Sequence, residues 1–110
     1  MKPSELLTKA KAVIADPKHW TQGSYAKDAE GRNVGPAKPD AVCWCSIGAI
    51  DKVAHEESTY AARFAATRYL AVVSDKYGYS GITDFNDNSS HKVVMKAWDK
   101  AIKLAKEDGK

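Results

Sequence analysis

Two closely spaced cysteines, Cys43 and Cys45, are the residues of this chain best suited to nucleophilic chemistry. A cysteine nucleophile needs a general base and a third group that orients the base. His91 is the candidate base, and Asp87 or Asn86 is the candidate orienting group. With Cys45 as the nucleophile, this combination is typical of cysteine-dependent hydrolases and transferases, and it defines the catalytic alternative for this sequence.

The non-catalytic interpretation follows from the helical periodicity around these residues. Positions two apart on a helix point about 200° away from each other, so Cys43 and Cys45 cannot form a disulfide or share a metal there. Thiols on a largely apolar helix are usually core residues. His91 falls among the apolar positions of a predicted helix, where a loop carbonyl or carboxylate is expected to satisfy its ring. We therefore predict no catalytic residue, and Cys45, His91 and Asp87 form the alternative set.

The spacing of the candidate metal ligands disfavours a metal site. A zinc site would need both cysteines and two of the histidines His19, His55 and His91, and their spacing matches no zinc-finger or zinc-ribbon pattern. The polar run from Asn86 to Ser90 lacks the central glycine of a calcium loop. It is typical of a loop that begins a helix. We expect neither a metal nor another cofactor.

The composition is that of an ordinary globular domain. The chain has 110 residues, of which 44% are hydrophobic and 28% are charged, so we expect one domain over residues 1–110. Seventeen Lys and Arg against 14 Asp and Glu leave a net charge of +3, too small to require a nucleic acid or a membrane as partner. No apolar run approaches the roughly 20 residues of a membrane span. Because two neighbouring cysteines are atypical of secreted scaffolds, we expect a cytoplasmic protein.

Apolar periodicity predicts four helices that position these residues. Their expected ranges are Ser4–Ala15, about 40–55, about 57–77 and about 89–107. Ser4 is the expected N-cap of the first helix, and Asn88 or Ser89 that of the last. Apolar residues surround most of the second and third helices. We therefore expect these two to form the core, with the third at its centre and the first and last covering them.

The segment of about residues 19–39 has no helical period and contains three of the seven glycines and two of the four prolines. Within it, residues 28–31 have the signature of a type I turn, and the flanking residues 24–26 and 32–34 predict a short hairpin. Residues 78–87 are expected to form a loop. Together these patterns predict a mainly α fold: a single compact domain of about four helices with a small β-hairpin between the first and second helices.

Three stretches carry a resemblance to a known family. They are His19-Trp20-Thr21-Gln22-Gly23, Cys45-Ser46-Ile47-Gly48-Ala49-Ile50 and Ile82-Thr83-Asp84-Phe85-Asn86-Asp87. The chain resembles a family of short bacterial and phage proteins with a Cys-x-x-Gly-Ala helix and an Asn-Asp pair before the terminal helix. That family has no assigned activity. The resemblance therefore implies a self-contained domain and transfers no functional residue.

Aromatic and polar residues of the hairpin segment and of the 79–87 loop indicate a contact surface. Trp44 is expected toward the polar edge of its helix, where tryptophan often serves in binding. The predicted binding residues are Trp20, Tyr25, Trp44, Tyr79, Phe85 and Asn86. The last helix also carries a lysine stripe, formed by Lys96, Lys100, Lys103 and Lys106. Because no aromatic residue interleaves it, we expect a solvated face rather than a nucleic-acid site.

These observations predict a function without naming a ligand. The favoured hypothesis is a small non-enzymatic binding or protein-interaction module with an unidentified protein partner. The alternative is the cysteine-dependent hydrolase or transferase that uses Cys45, His91 and Asp87. The alternative requires these three side chains to meet, which the order of residues in the sequence cannot establish.

Overall fold

A computed structural model describes all residues from 1 to 110. The helices are α1 (Pro3–Val13), α2 (Ser46–Glu56), α3 (Tyr60–Lys76), α4 (Ile82–Asp87) and α5 (His91–Glu107). A short 3-10 turn spans Pro17–His19, and the strands are β1 (Ala26–Lys27) and β2 (Cys43–Trp44). The strands pair in an antiparallel two-stranded sheet between α1 and α2. The predicted mainly α fold with a small β element at this place is confirmed.

Both α1 and α3, the expected central helix, contribute to the core, and α3 packs against α1, α2, α4 and α5. Leu6, Leu7 and Ile14 of α1 are completely buried, and α1 packs against α2, α3 and α5. The outer face of α3, by contrast, leaves Phe64 and Val72 68% and 46% exposed. A helical wheel counts such residues as apolar wherever they point, so the wheel of α3 overestimates how much of its surface is buried.

The helix ends differ from the expected ones because other groups satisfy the first backbone N–H donors. In α1, Lys2 occupies the N-cap position, and its backbone N–H donates to Glu5 Oε1 at 2.9 Å. Ser4, the expected cap, is buried in the first turn. At α5 the cap is Ser90, whose Oγ accepts from the Val93 N–H at 3.2 Å. The predictions of Asn88 or Ser89 were therefore wrong by one or two residues.

The helix that contains the Gly-Ala pair begins at Ser46, six residues later than the expected Asp40. Cys43 and Trp44 lie in β2 instead, paired with Lys27 and Ala26 of β1. Val42 and Trp44 are of types that favour strands. The apolar residues around them are compatible with a strand as well as with a helix. The predicted placement of both cysteines and of Trp44 on a helix is therefore wrong.

A β-turn is present at the predicted residues 28–31, while the hairpin that it was expected to close is smaller. The Gly31 N–H donates to the Asp28 carbonyl at 3.0 Å. The expected second strand, residues 32–34, contributes one bridge, between Lys27 and Asn33. β1 instead forms its ladder with β2, which follows 16 residues after the strand.

The segment expected to be a loop contains the short helix α4. Ile82 and Phe85, three residues apart, are buried, and α4 packs against α2 and α3. The Phe85 N–H donates to the Gly81 carbonyl at 3.0 Å, which closes its first turn. A helix of six residues is too short to show a helical period in the sequence. It is also too short to be stable alone, so its stability comes from tertiary packing.

Candidate functional site

A cleft lies between the β segment and α4, and we call it the Asp87 cleft. Its volume is about 460 Å³. Its lining residues are Gly23, Ser24, Tyr25, Asn33, Val34, Gly35, Cys45, Thr83 and Asp87. The cleft thus brings together Cys45 and Asp87 of the predicted catalytic set with Tyr25 of the predicted binding set. Asp87 is the only charged residue among them.

Cys45 is the N-cap residue of α2 rather than a residue inside a helix. Its Sγ accepts a hydrogen bond from the Gly48 N–H at 3.4 Å, and only 3% of its surface is exposed. Burial raises the pKa of the Cys45 thiol, with a smaller contribution from Asp87, while the N–H groups of Gly48 and Ile47 oppose the rise. A raised thiol pKa leaves little thiolate at neutral pH. The surroundings of Cys45 therefore favour the protonated thiol.

Gly48 permits the close contact between the β segment and α2 that forms one wall of the cleft. A Cβ atom at this position would lie 1.9 Å from the Tyr25 carbonyl oxygen. The same carbonyl accepts a hydrogen bond from the Cys45 N–H at 3.1 Å. The chain at Tyr25 therefore passes directly over the first turn of α2, and glycine is the residue that leaves room for it.

One carboxylate oxygen of Asp87 accepts hydrogen bonds from the chain, and the other does not. Oδ1 accepts from the Gly23 N–H at 3.0 Å and from Asn86 Nδ2 at 3.1 Å. Oδ2 has no hydrogen-bond partner within the chain. A carboxylate oxygen beside a cleft is a strong acceptor for a charged or neutral donor. Asp87 can therefore receive a hydrogen bond from a bound molecule without losing its internal contacts.

His91 takes no part in the cleft. Its Nε2 lies 2.7 Å from the Ile14 carbonyl oxygen, so this nitrogen carries a proton and donates. Its ring also packs edge-on against Trp20, with ring centroids 5.4 Å apart. The expectation that a loop carbonyl satisfies His91 is confirmed. The structure brings Cys45 and Asp87 to one cleft and leaves the candidate base outside it.

Asn86 is the centre of a buried polar network. Its Oδ1 accepts from Trp20 Nε1 at 2.9 Å and from both the N–H and the Oγ of Ser46, at 3.0 and 2.8 Å. Its Nδ2 donates to the Thr21 carbonyl at 3.1 Å. Ser46 Oγ in turn accepts from Trp98 Nε1 at 3.2 Å. Asn86 therefore joins the segment before β1 to α2, α4 and α5.

The predicted binding residues differ widely in their exposure. Tyr25 is 56% exposed, whereas Trp44, Phe85 and Asn86 are buried. Trp44 packs in the sheet, where its Nε1 donates to the Pro36 carbonyl at 2.9 Å. Phe85 packs between Tyr77 and Tyr79, and Trp20 and Tyr79 are half-buried. Among these residues, Tyr25 offers most of its side chain to a partner, and the buried ones support the surfaces around the cleft.

Sequence reasoning missed Ser24, Asn33 and Thr83 as lining residues of the cleft. All three lie in the hairpin segment or the 79–87 loop that the sequence indicates as a contact surface, but none matches a catalytic or metal-binding pattern that would single it out. The sequence feature that does relate to the cleft is Gly48, three residues after Cys45. Glycine often occurs where another segment of backbone approaches closely. That signal points to the contact and not to the residues beside it.

No group of three or more His, Cys, Asp or Glu side chains is arranged to hold a metal ion. No helix combines the length and the apolar character that crossing a membrane requires.

Comparisons with known proteins place the chain in a family. Neither the curated proteins nor the solved structures gave a match. A family model described as "Family of unknown function (DUF6197)" matches residues 1–104. The expectation of a family without assigned activity is thereby confirmed, while the bacterial and phage origin and the family motifs stay predictions. Because the match spans nearly the whole chain, this protein belongs to the DUF6197 family of unknown function.

Proposed function

We propose that this chain is a small non-enzymatic binding module that recognises a segment of a partner protein through the Asp87 cleft. The observation that carries the proposal is the unpartnered Oδ2 of Asp87 in a cleft with no other charged residue. Such a site favours a positively charged donor, which in a polypeptide is a Lys or Arg side chain. The exposed ring of Tyr25 at the same cleft can stack on that cation.

The rigidity of the surroundings supports binding. Asn86 and Ser46 fix the position of α4, which carries Asp87 and Thr83, against the start of α2. The contact between Gly48 and the Tyr25 carbonyl fixes the opposite wall. A preformed cleft loses little conformational entropy when a ligand enters, so even a few polar contacts yield measurable affinity.

The chemistry of the cysteine also supports binding rather than catalysis. Burial raises the pKa of the Cys45 thiol, and His91 donates to the Ile14 carbonyl. The proposal assigns to Cys45 a structural role as the cap of α2. In this proposal Trp20, Trp44, Phe85 and Asn86 support the cleft and its surroundings, Tyr79 packs beside Phe85, and Tyr25 contacts the partner.

The setting of the proposed function follows from the sequence. Two free thiols suit the reducing cytoplasm, where we place the binding module. The three motifs that resemble those of short bacterial and phage proteins favour a bacterial or phage origin.

The proposal is tested by NMR titration of the ¹⁵N-labelled protein with synthetic pentapeptides. The peptides have the sequence Gly-Ala-X-Ala-Gly with blocked ends, where X is Lys, Arg or Glu. We expect the Lys and Arg peptides to shift the amide resonances of Gly23, Tyr25 and Asp87, and the Glu peptide to leave them unchanged. The Asp87→Asn variant, which keeps Oδ1 as an acceptor, should weaken binding about tenfold through loss of the charge.

Asp40→Asn is the matched control for this titration, because Asp40 is an exposed carboxylate outside the cleft. It should bind the Lys and Arg peptides as the wild type does. Equal shifts with the Glu peptide, or unchanged affinity in Asp87→Asn, would contradict the proposal. An absence of shifts at the cleft with both cationic peptides would contradict it as well.

A further inference from the structure

A second surface, which we call the α3–α5 groove, lies away from the Asp87 cleft. It consists of two adjoining depressions of about 290 and 370 Å³ that share Lys76 and Leu104. Its apolar lining comes from both helices: Ala65, Tyr69, Val72, Val73, Tyr77 and Leu104. The groove follows α3 from Ala65 to Lys76, which is about three helical turns.

Exposed apolar side chains of α3 extend this groove. Phe64 is 68% exposed and Val72 is 46% exposed. Positions four apart lie on one helix face, so Phe64 stands one turn from Arg68, which lines the groove, and two turns from Val72. Phe64 and Val72, with the charged Arg68 between them, form an interrupted apolar stripe that borders the groove.

The rim of the groove is positively charged. Five cationic residues line it, namely Arg68, Lys76, Lys100, Lys103 and Lys110, against two acidic residues, Glu107 and Asp108. None of these cations takes part in an ion pair within the chain. Asp108 already accepts a hydrogen bond from the Tyr69 hydroxyl at 2.6 Å. The groove thus presents unneutralised positive charge around an apolar floor.

We infer that the α3–α5 groove binds an acidic amphipathic helix of a partner protein. Apolar side chains at helical spacing fit a groove between two helices, and this mode of recognition is common. Asp and Glu residues on the flanks of such a helix would meet the lysines of the rim. A groove of about three turns matches a segment of 10 to 14 residues, roughly the length of an ordinary helix.

The charge of the rim and the residues of the groove floor favour an acidic helix over a second copy of the chain or a nucleic acid. A second copy of the chain would bring an equally positive rim against this one, and like charges oppose that pairing. A single-stranded nucleic acid would need open aromatic faces for its bases. Tyr77, however, packs on Phe85, and Lys100 lies over its ring at 4.7 Å.

The inference is tested with three synthetic 14-residue peptides labelled for fluorescence anisotropy. The first carries Leu at positions i, i+3, i+4 and i+7 with Glu elsewhere on its polar face, the second replaces each Glu by Lys, and the third scrambles the first. In the Asp87→Asn variant, whose cleft lacks the negative charge, we expect the first to bind and the other two to bind at least about tenfold more weakly. ¹⁵N NMR shifts should fall on α3 and α5.

Charge-reversed variants locate the interaction. Lys76→Glu/Lys103→Glu should weaken binding of the acidic peptide about tenfold. Lys92→Glu/Lys96→Glu makes the same charge change at exposed residues outside the groove and should weaken binding far less. Phe64→Ser, at an exposed position, tests the apolar stripe without disturbing the core and should also weaken binding.

The results distinguish between the possible ligands of the groove, and they test this inference separately from the proposed function of the Asp87 cleft. Equal binding of the scrambled peptide would mean attraction by charge alone and would overturn the inference. Tighter binding of phosphatidylglycerol vesicles or of a poly-U RNA at this groove, or dimerisation lost in Phe64→Ser, would overturn it too. Because this groove should select acidic peptides and the Asp87 cleft basic ones, failure of either proposal leaves the other open to its own test.

Discussion

At the scale of single residues, position decides what the chemically capable side chains of this protein do. Cys45, Asp87 and His91 have the types that a cysteine-dependent enzyme uses, yet each is engaged in another contact. The thiol caps α2, Asp87 Oδ1 accepts from the Gly23 N–H, and the His91 ring donates to the Ile14 carbonyl. The residue types alone therefore do not establish a catalytic role.

The raised pKa of the Cys45 thiol predicts how stability depends on pH. Since burial raises this pKa, the folded protein holds the thiol proton more tightly than the unfolded chain does. The resulting stabilisation is complete below the unfolded-state pKa of about 8.5. It is lost as the pH rises from there toward the higher folded-state pKa. Urea unfolding between pH 7 and pH 10 measures this loss directly.

The Cys45→Ser variant isolates the contribution of the thiol in that experiment, since serine keeps a capping acceptor and does not titrate. Wild type should lose more unfolding free energy with rising pH than this variant. Parallel curves would show that burial does not perturb the thiol. In a Cys43→Ser background, alkylation by iodoacetamide then reports on Cys45 alone. Its rate at pH 8 should be far below the rate in urea.

At the scale of elements, the contact between the β segment and the start of α2 determines the shape of the cleft. Gly48→Ala would place a Cβ 1.9 Å from the Tyr25 carbonyl oxygen, so backbone must move in one element or both. We expect a loss of about 3 kcal/mol in the free energy of unfolding, measured in urea. The Cys45 N–H to Tyr25 hydrogen bond should weaken as well, and hydrogen exchange at Cys45 should become faster.

Gly81→Ala is the matched control, because nothing lies within 4 Å of a Cβ there and its φ of 176° is extended backbone. Its unfolding free energy should change by less than about 0.5 kcal/mol. Equal effects of the two substitutions would mean that the close approach at Gly48 contributes nothing specific.

The elements also show how much the sequence could predict. The stripe of α5 and the turn at Asp28–Gly31 depend on local periodicity and turn chemistry, and both were predicted. The start of α2 and the existence of α4 depend on tertiary contacts: β2 pairs with a strand 16 residues earlier, and Phe85 packs between Tyr77 and Tyr79. Of the site, Tyr25, Cys45 and Asp87 could be named, while their meeting in one cleft depends on those same contacts.

At the scale of the whole molecule, α1 and α3 differ in how much of their apolar surface they bury. α1 is short but buries its leucines completely against three other helices. α3 is longer and keeps part of its apolar surface exposed, beside a groove with a positive rim. Large exposed apolar patches in a protein of this size usually serve binding rather than folding. This difference between α1 and α3 can be measured as the change in the free energy of unfolding when an apolar side chain of each helix is truncated.

Leu7→Ala and Phe64→Ala remove large apolar side chains from these two helices. Leu7 is fully buried, so its truncation leaves a cavity and should lower the free energy of unfolding by about 3 kcal/mol. Phe64 is 68% exposed, so its truncation should change that free energy by less than about 0.5 kcal/mol. Chemical denaturation of both variants with the wild type gives the comparison. A large loss at Phe64 would mean that α3 contributes its outer face to the core, in which case the groove would not be a surface kept for a partner.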